Sequence, residues 1–440
     1  MRRSSVPRPL PRVLALLLPL TLVVGTAGCT VGDPLTKPDL GEATAGGAKK
    51  SASEKDEKDR YAEFEAIQGV LDERARALLG GDRARFLATV DRGNSKLRRR
   101  QAALFDNLQV LPLTNVYYGV ERTALLADKV RGGGHTLRPV VVEHVQLRGV
   151  HERAVSNDVT MTFVRRHGTW VLGHEREDPL FAAQFRPWYG THIETAGDAA
   201  LLVMTDEDAE VGADELLGQT RSALGAVTGV LDREPAAPLL VDATTNGAAT
   251  EVSNASGEDA AAVSFTTFGS ARQGGDYVGV AGEVVKANPD YVTQLVQDDE
   301  TLRHELTHYV LNGYGSSNPQ WVTEGIAEYV GYQPGTLAES YITDERLERL
   351  IDRREVRLTP PGRWGDEPQL DYLTAEAFAE FLIEGYGLAD YLEMMDLFRR
   401  MGRSRSVIYG EGIVEEVLER VYDLTPEQVA RGGFELLRGL

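Results

Sequence analysis

The sequence predicts an α+β fold, a unit of helices followed by an antiparallel sheet and then a mainly helical unit with a small mixed sheet. Three observations predict it. Apolar residues recur at three and four positions from Tyr61 to Leu78 and again across most of residues 299–440. Between those stretches lie runs rich in Val, Tyr and Thr, such as Val159, Met161 and Phe163 alternating with polar residues. Turn signals separate the two textures, and 42% hydrophobic content over 440 residues is enough for packed cores.

Composition removes several function classes. One cysteine excludes an intramolecular disulfide framework, an iron-sulfur cluster and any cysteine-built metal finger. Against 67 Asp and Glu there are 47 Lys and Arg, a net charge of -20, so no nucleic-acid partner is expected.

The chain opens with Arg2, Arg3, Arg8 and Arg12 and no acid, then an apolar run over residues 13–24, then Gly25-Thr26-Ala27-Gly28. That order is a secretory signal, and the run is shorter than the roughly 20 residues of a spanning helix. Cys29 follows at once. Thr26-Ala27-Gly28-Cys29 resembles the lipobox of bacterial lipoproteins, which implies removal of residues 1–28 and acylation of Cys29. The alternative is an ordinary secretory signal with an incidental cysteine, giving a secreted protein. Either way the expected location is extracytoplasmic. Loss of four arginines and no acid takes the charge from -20 to -24, so membrane attachment would rest on the acyl anchor at Cys29. Residues 29–60 continue as a Gly-, Ala- and Lys/Glu-rich tether, which spans about 30 Å as a flexible coil.

Residues 61–190 form the first predicted unit. A helix runs from Tyr61 to a stop at Gly80-Gly81, with further helices near residues 83–90 and 94–108. Strands are expected at 114–123, 137–148, 155–165 and 169–175, with a tight turn at Arg166-His167-Gly168. In order of elements this unit resembles the SnoaL-like, nuclear-transport-factor-like cone fold. Six of the eight histidines lie in or just beyond it, at spacings that fit no ligand pattern, and are expected to be hydrogen-bonded strand residues.

Residues 191–440 form the second unit. Strands are expected at 199–204, 238–243, 263–268 and 277–285, and a helix at 213–231. The helical stretch beyond contains His304-Glu305-Leu306-Thr307-His308. Residues four apart share a helix face, so His304 and His308 can point at one metal with Glu305 beside them. Accidental matches to this pattern number on the order of 0.01 in a chain of this composition.

Two ligands need a third. The helix is expected to stop at Asn312-Gly313 and Gly315, and Asn318 to cap a second helix with Pro319 in its first turn. This second helix can fold Glu324 back across the histidines. Glu328, one turn on, can then accept the second N–H of His304 or His308.

The pair of motifs, His304-Glu305-Leu306-Thr307-His308 and Trp321-Val322-Thr323-Glu324-Gly325-Ile326-Ala327-Glu328-Tyr329, resembles the gluzincin metallopeptidases, in particular the bacterial peptidase MA-like group. The resemblance implies a gluzincin-type domain over residues 191–440. It implies one catalytic Zn2+ on His304, His308 and Glu324, Glu305 as general base, and a peptide or protein substrate. Glu328 supports the ligands from outside. Gluzincins commonly use a downstream Tyr or His on the oxyanion, which makes Tyr372 the candidate, with Tyr329 and Tyr332 as competitors. Residues 276–285 match the substrate-aligning edge strand of related peptidases, where Gly279 and Gly282 would admit a peptide. The alternative is an ordinary core strand. A catalytically inactive zinc-bound scaffold is the main functional alternative, and a small-ligand role for the first unit is another.

Overall fold

The structure, a computed structural model, describes residues 54–120, 136–177, 186–245, 261–270, 277–312, 318–336, 368–405 and 411–439. The signal, Cys29, the tether before residue 54 and the expected glycine stop at Gly313 and Gly315 lie outside them. Over the described residues the fold is mixed, with helices and two small sheets. Among these residues no helix is long and apolar enough to cross a membrane.

Helix α1 (Glu54–Leu79) starts earlier than expected. The charged run at residues 54–60, assigned to the tether from its composition, forms its first turns, because Glu and Lys propagate helix well once an apolar stripe anchors it. Gly81, at φ 66°, turns the chain. Asp82 and Asn94 then cap α2 (Arg83–Ala88) and α3 (Ser95–Val110), accepting from the Arg85 and Leu97 N–H groups.

Strands β1 (Leu113–Val120), β2 (Thr136–Leu137), β3 (Val140–Leu147), β4 (Val155–Arg166) and β5 (Thr169–Glu177) form an antiparallel sheet. His167 and Gly168, both at positive φ, close the β4–β5 hairpin as a two-residue turn. Buried polar side chains tie this unit's helices to its sheet. Arg186 forks onto Glu143 at 2.7 and 3.1 Å and onto Glu175 at 2.9 Å, and Gln101 joins Glu175 to Arg74. Trp188 is fully buried beside them. His144 and His151 lie in or beside the sheet, and burial pulls both down to about 4.

The second sheet runs β6-β7-β8-β10-β9, from β6 (Ile193–Gly197), β7 (Leu201–Asp206), β8 (Leu239–Asp242), β9 (Ala262–Ser270) and β10 (Tyr277–Ala287). Its three inner strands are parallel, and α4 (Ala213–Leu231) makes the crossover between β7 and β8. Strand β6 was not anticipated. Of the two readings of β10, the ordinary core strand holds, since it is paired with β8 on one side and β9 on the other. The edge on that side is β9, and Gly282 of β10 faces the Val150 carbonyl, where a Cβ would sit at 2.9 Å, rather than a peptide.

Both faces of this sheet are covered. Leu201, Val203, Leu239, Val241 and Val285 pack beneath the helical layer, whereas Leu202, Met204, Leu240 and Val284 belong to the core of the first unit. That explains the unbroken apolar runs of β7 and β8, which alternate burial partners rather than burial. The helical layer comprises α4, α5 (Val292–Gln297), α6 (Glu300–Val310), α7 (Gln320–Tyr332), α8 (Pro368–Tyr386), α9 (Leu388–Arg405), α10 (Glu411–Tyr422) and α11 (Pro426–Gly439).

Candidate metal centre

Helix α6 divides its faces. Leu302, Leu306, Tyr309 and Val310 enter the core, and His304, Glu305 and His308 turn to the opposing side. Helix α7 does the same with Trp321, Val322, Ile326 and Val330 against Glu324 and Glu328. Its cap is Pro319, without a side-chain hydrogen bond, rather than the expected Asn318, since α7 opens one residue later with Gln320. Glycines set the spacing between helices. A Cβ on Gly331 would lie 3.1 Å from the Glu300 carbonyl, and Gly325 lets α7 meet the Ala375 carbonyl of α8.

These helices bring the three predicted ligands together. His304 Nε2 and His308 Nε2 are 3.1 Å apart, and Glu324 Oε2 lies 3.4 Å and 3.2 Å from them. All three atoms belong to side chains at most 13% exposed. They match a cation. Ligands about 2.0–2.1 Å from a tetrahedral centre are separated by about 3.3–3.4 Å. His304, His308 and Glu324 could therefore hold a metal ion.

The electrostatics agree. Burial opposes an imidazolium at His304, yet Glu328 and Glu324 outweigh it and raise His304 well above its ordinary range. Burial likewise opposes charge on Glu324, but His308 and His304 hold its carboxyl down at about 2. The point between the rings thus favours positive charge. Glu328 Oε1 stands 3.3 Å from His304 Nδ1, on the ring edge away from the ligand nitrogen.

Glu305 is 2% exposed. Burial, reinforced by the Glu324 charge, holds its carboxyl above the usual range, although the imidazoles and the Ser264 N–H favour its charged form. Its Oε2 has no hydrogen-bond partner among the described residues. Tyr372 lies on α8 with its ring edge-on to His304, centroids 6.2 Å apart, and burial with the charge of Glu324 raises it well above an ordinary phenol. Of its competitors, Tyr329 donates to Glu384, and Tyr332 packs against the core.

Sequence reasoning missed Ser264. Its N–H on the edge strand β9 holds Glu305, a backbone contact that no side-chain type announces. It also missed Glu283, 5% exposed on β10, whose partners are Thr266 and Asn312. Compared with models of known protein families, the chain matches none, and it matches no curated protein.

Proposed function

We propose that this chain is a zinc-dependent peptidase of gluzincin type, with one Zn2+ held by His304, His308 and Glu324, working outside the cytoplasm on a lipid anchor at Cys29. One observation supports it above the rest: three ligand atoms, from two buried side chains and the half-buried His308, converge beside a buried carboxyl, Glu305, that has an oxygen to spare. A purely structural zinc site closes its fourth position and has no use for a base there.

When bound, zinc would supply the Lewis acidity that makes water nucleophilic near neutral pH. The protein does the rest. Glu305, steered by the Ser264 N–H, takes the proton from the attacking water and delivers it to the leaving amine. Tyr372, kept neutral by its surroundings, is a phenol donor for the developing oxyanion. Strand β9, open on one side among the described residues, can align an extended peptide by main-chain hydrogen bonds.

Metal analysis and peptidase assays on wild type, Glu305→Gln and His308→Ala test this. About one zinc per chain is expected in the first two, little in the third, and hydrolysis in wild type alone. Zinc-loaded wild type inert towards a broad peptide library would point instead to a zinc-bound scaffold. Hydrolysis retained in Glu305→Gln would remove the mechanism.

A further inference from the structure

Strand β10 is apolar except for two charged side chains, Glu283 and Lys286, and both are buried. Lys286 has its counterion: Nζ lies 3.0 Å from Asp242 Oδ2 and donates to the Thr244 carbonyl at 2.6 Å. Glu283 has no cationic partner among the described residues. The Thr266 hydroxyl, opposite it in register on β9, approaches its two oxygens at 3.1 and 3.3 Å, and the Asn312 amide serves both Glu283 and Thr266. A carboxyl surrounded by neutral donors is a poor way to fill a core, where valine or leucine would pack without desolvating a charge. Such departures from packing logic concentrate at functional sites.

The position is specific. Thr266 is two residues along β9 from Ser264, whose N–H holds Glu305, and Asn312 is one helical turn beyond His308. Same-face neighbours on a strand are about 6.6–6.8 Å apart, which is also the repeat of side chains along an extended peptide. Glu283 therefore pairs with the β9 position one such repeat from Ser264, the residue whose N–H holds the proposed base.

We infer that Glu283, with Thr266 and Asn312, is a specificity subsite that takes a cationic nitrogen of the peptide, a lysine or arginine side chain or a free amino terminus, next to the scissile bond. Its role rests on the peptidase proposed above; its chemistry does not. The ion pair that Lys286 finds within the chain is completed at Glu283 by the substrate. A cation placed there also favours the charged carboxylate over the neutral acid.

The test uses the full-length, metal-loaded Glu305→Gln protein, which holds peptide without turnover. It is titrated with matched peptides carrying lysine or norleucine at each position flanking the scissile bond, each with a free or acetylated amino terminus. The series is repeated with Glu283→Gln added. One cationic form should bind about tenfold or more tighter than its neutral match, and Glu283→Gln should erase the difference with metal content unchanged. Which arm shows it, side chain or amino terminus, identifies the source of the charge. Equal affinity for charged and neutral peptides, or a preference that survives Glu283→Gln, would overturn the proposal. Glu283-dependent binding without hydrolysis by wild type would keep the subsite and remove the peptidase. Hydrolysis without Glu283-dependent discrimination would do the reverse.

Discussion

At Glu283 the cost of a buried carboxyl can be read through pH. Burial pushes it up to about 8, only partly offset by Thr266 and Asn312, whereas the unfolded chain returns it to the ordinary 4.5. Thr266 and Asn312 are neutral, and Tyr309 of α6 is the titratable group that senses it. Between those two values the folded state binds the extra proton, so stability falls as pH rises, by up to about 1.4 kcal/mol per pH unit, and the slope ends above pH 8. Unfolding free energies from urea titrations across pH 5–8 should fall more steeply in wild type than in Glu283→Gln by up to that amount, and parallel curves would refute it. Nothing in the sequence marks Glu283, because its significance comes from a cross-strand neighbour and a helix end. The residues His304, Glu305, His308, Glu324 and Glu328 were legible for the opposite reason: helix geometry ties their spacing directly to a shared face.

At the level of elements, the centre depends on how closely three helices approach. Gly325 meets the Ala375 carbonyl of α8, one turn past Tyr372, and its neighbour Glu324 is a proposed ligand. Gly325→Ala should force α7 and α8 apart, costing about 1–3 kcal/mol, and should weaken metal retention. Gly218, exposed on α4 with no atom within 4 Å of its would-be Cβ, is the matched control. Gly218→Ala should be neutral or stabilising by up to about 1 kcal/mol. Urea midpoints and metal-to-protein ratios check both. Helices and hairpins such as α4 and the β4–β5 turn could be read in advance, since period, cap and turn residues are local. Sheet order could not. Strands β9 and β10 have similar texture, and which becomes the edge is decided by pairing with β8, far off in sequence.

Across the whole molecule, the division into two units describes the chain better than the packing. Leu202, Met204, Leu240 and Val284 of the second sheet sit in the first unit's core, and the Glu152 N–H donates to the Ala281 carbonyl across the junction at 2.8 Å. Asn107 reinforces it, donating to the Trp188 and Thr191 carbonyls and accepting from the Ile193 N–H. A second unit made alone would present one sheet face to water, a patch that drives association. Stability contributed by a metal should therefore reach the first unit. At 100 times its dissociation constant, a metal bound only by the folded state adds about 2.7 kcal/mol, shared by everything that unfolds together. Trp170 and Trp188 report on the first core and Trp321 on the second. Tryptophan variants leaving one reporter at a time should all show the same single transition, and chelation should lower every midpoint equally. If Trp321 alone responded to chelation, the two cores would be independent and the shared sheet face would not couple them.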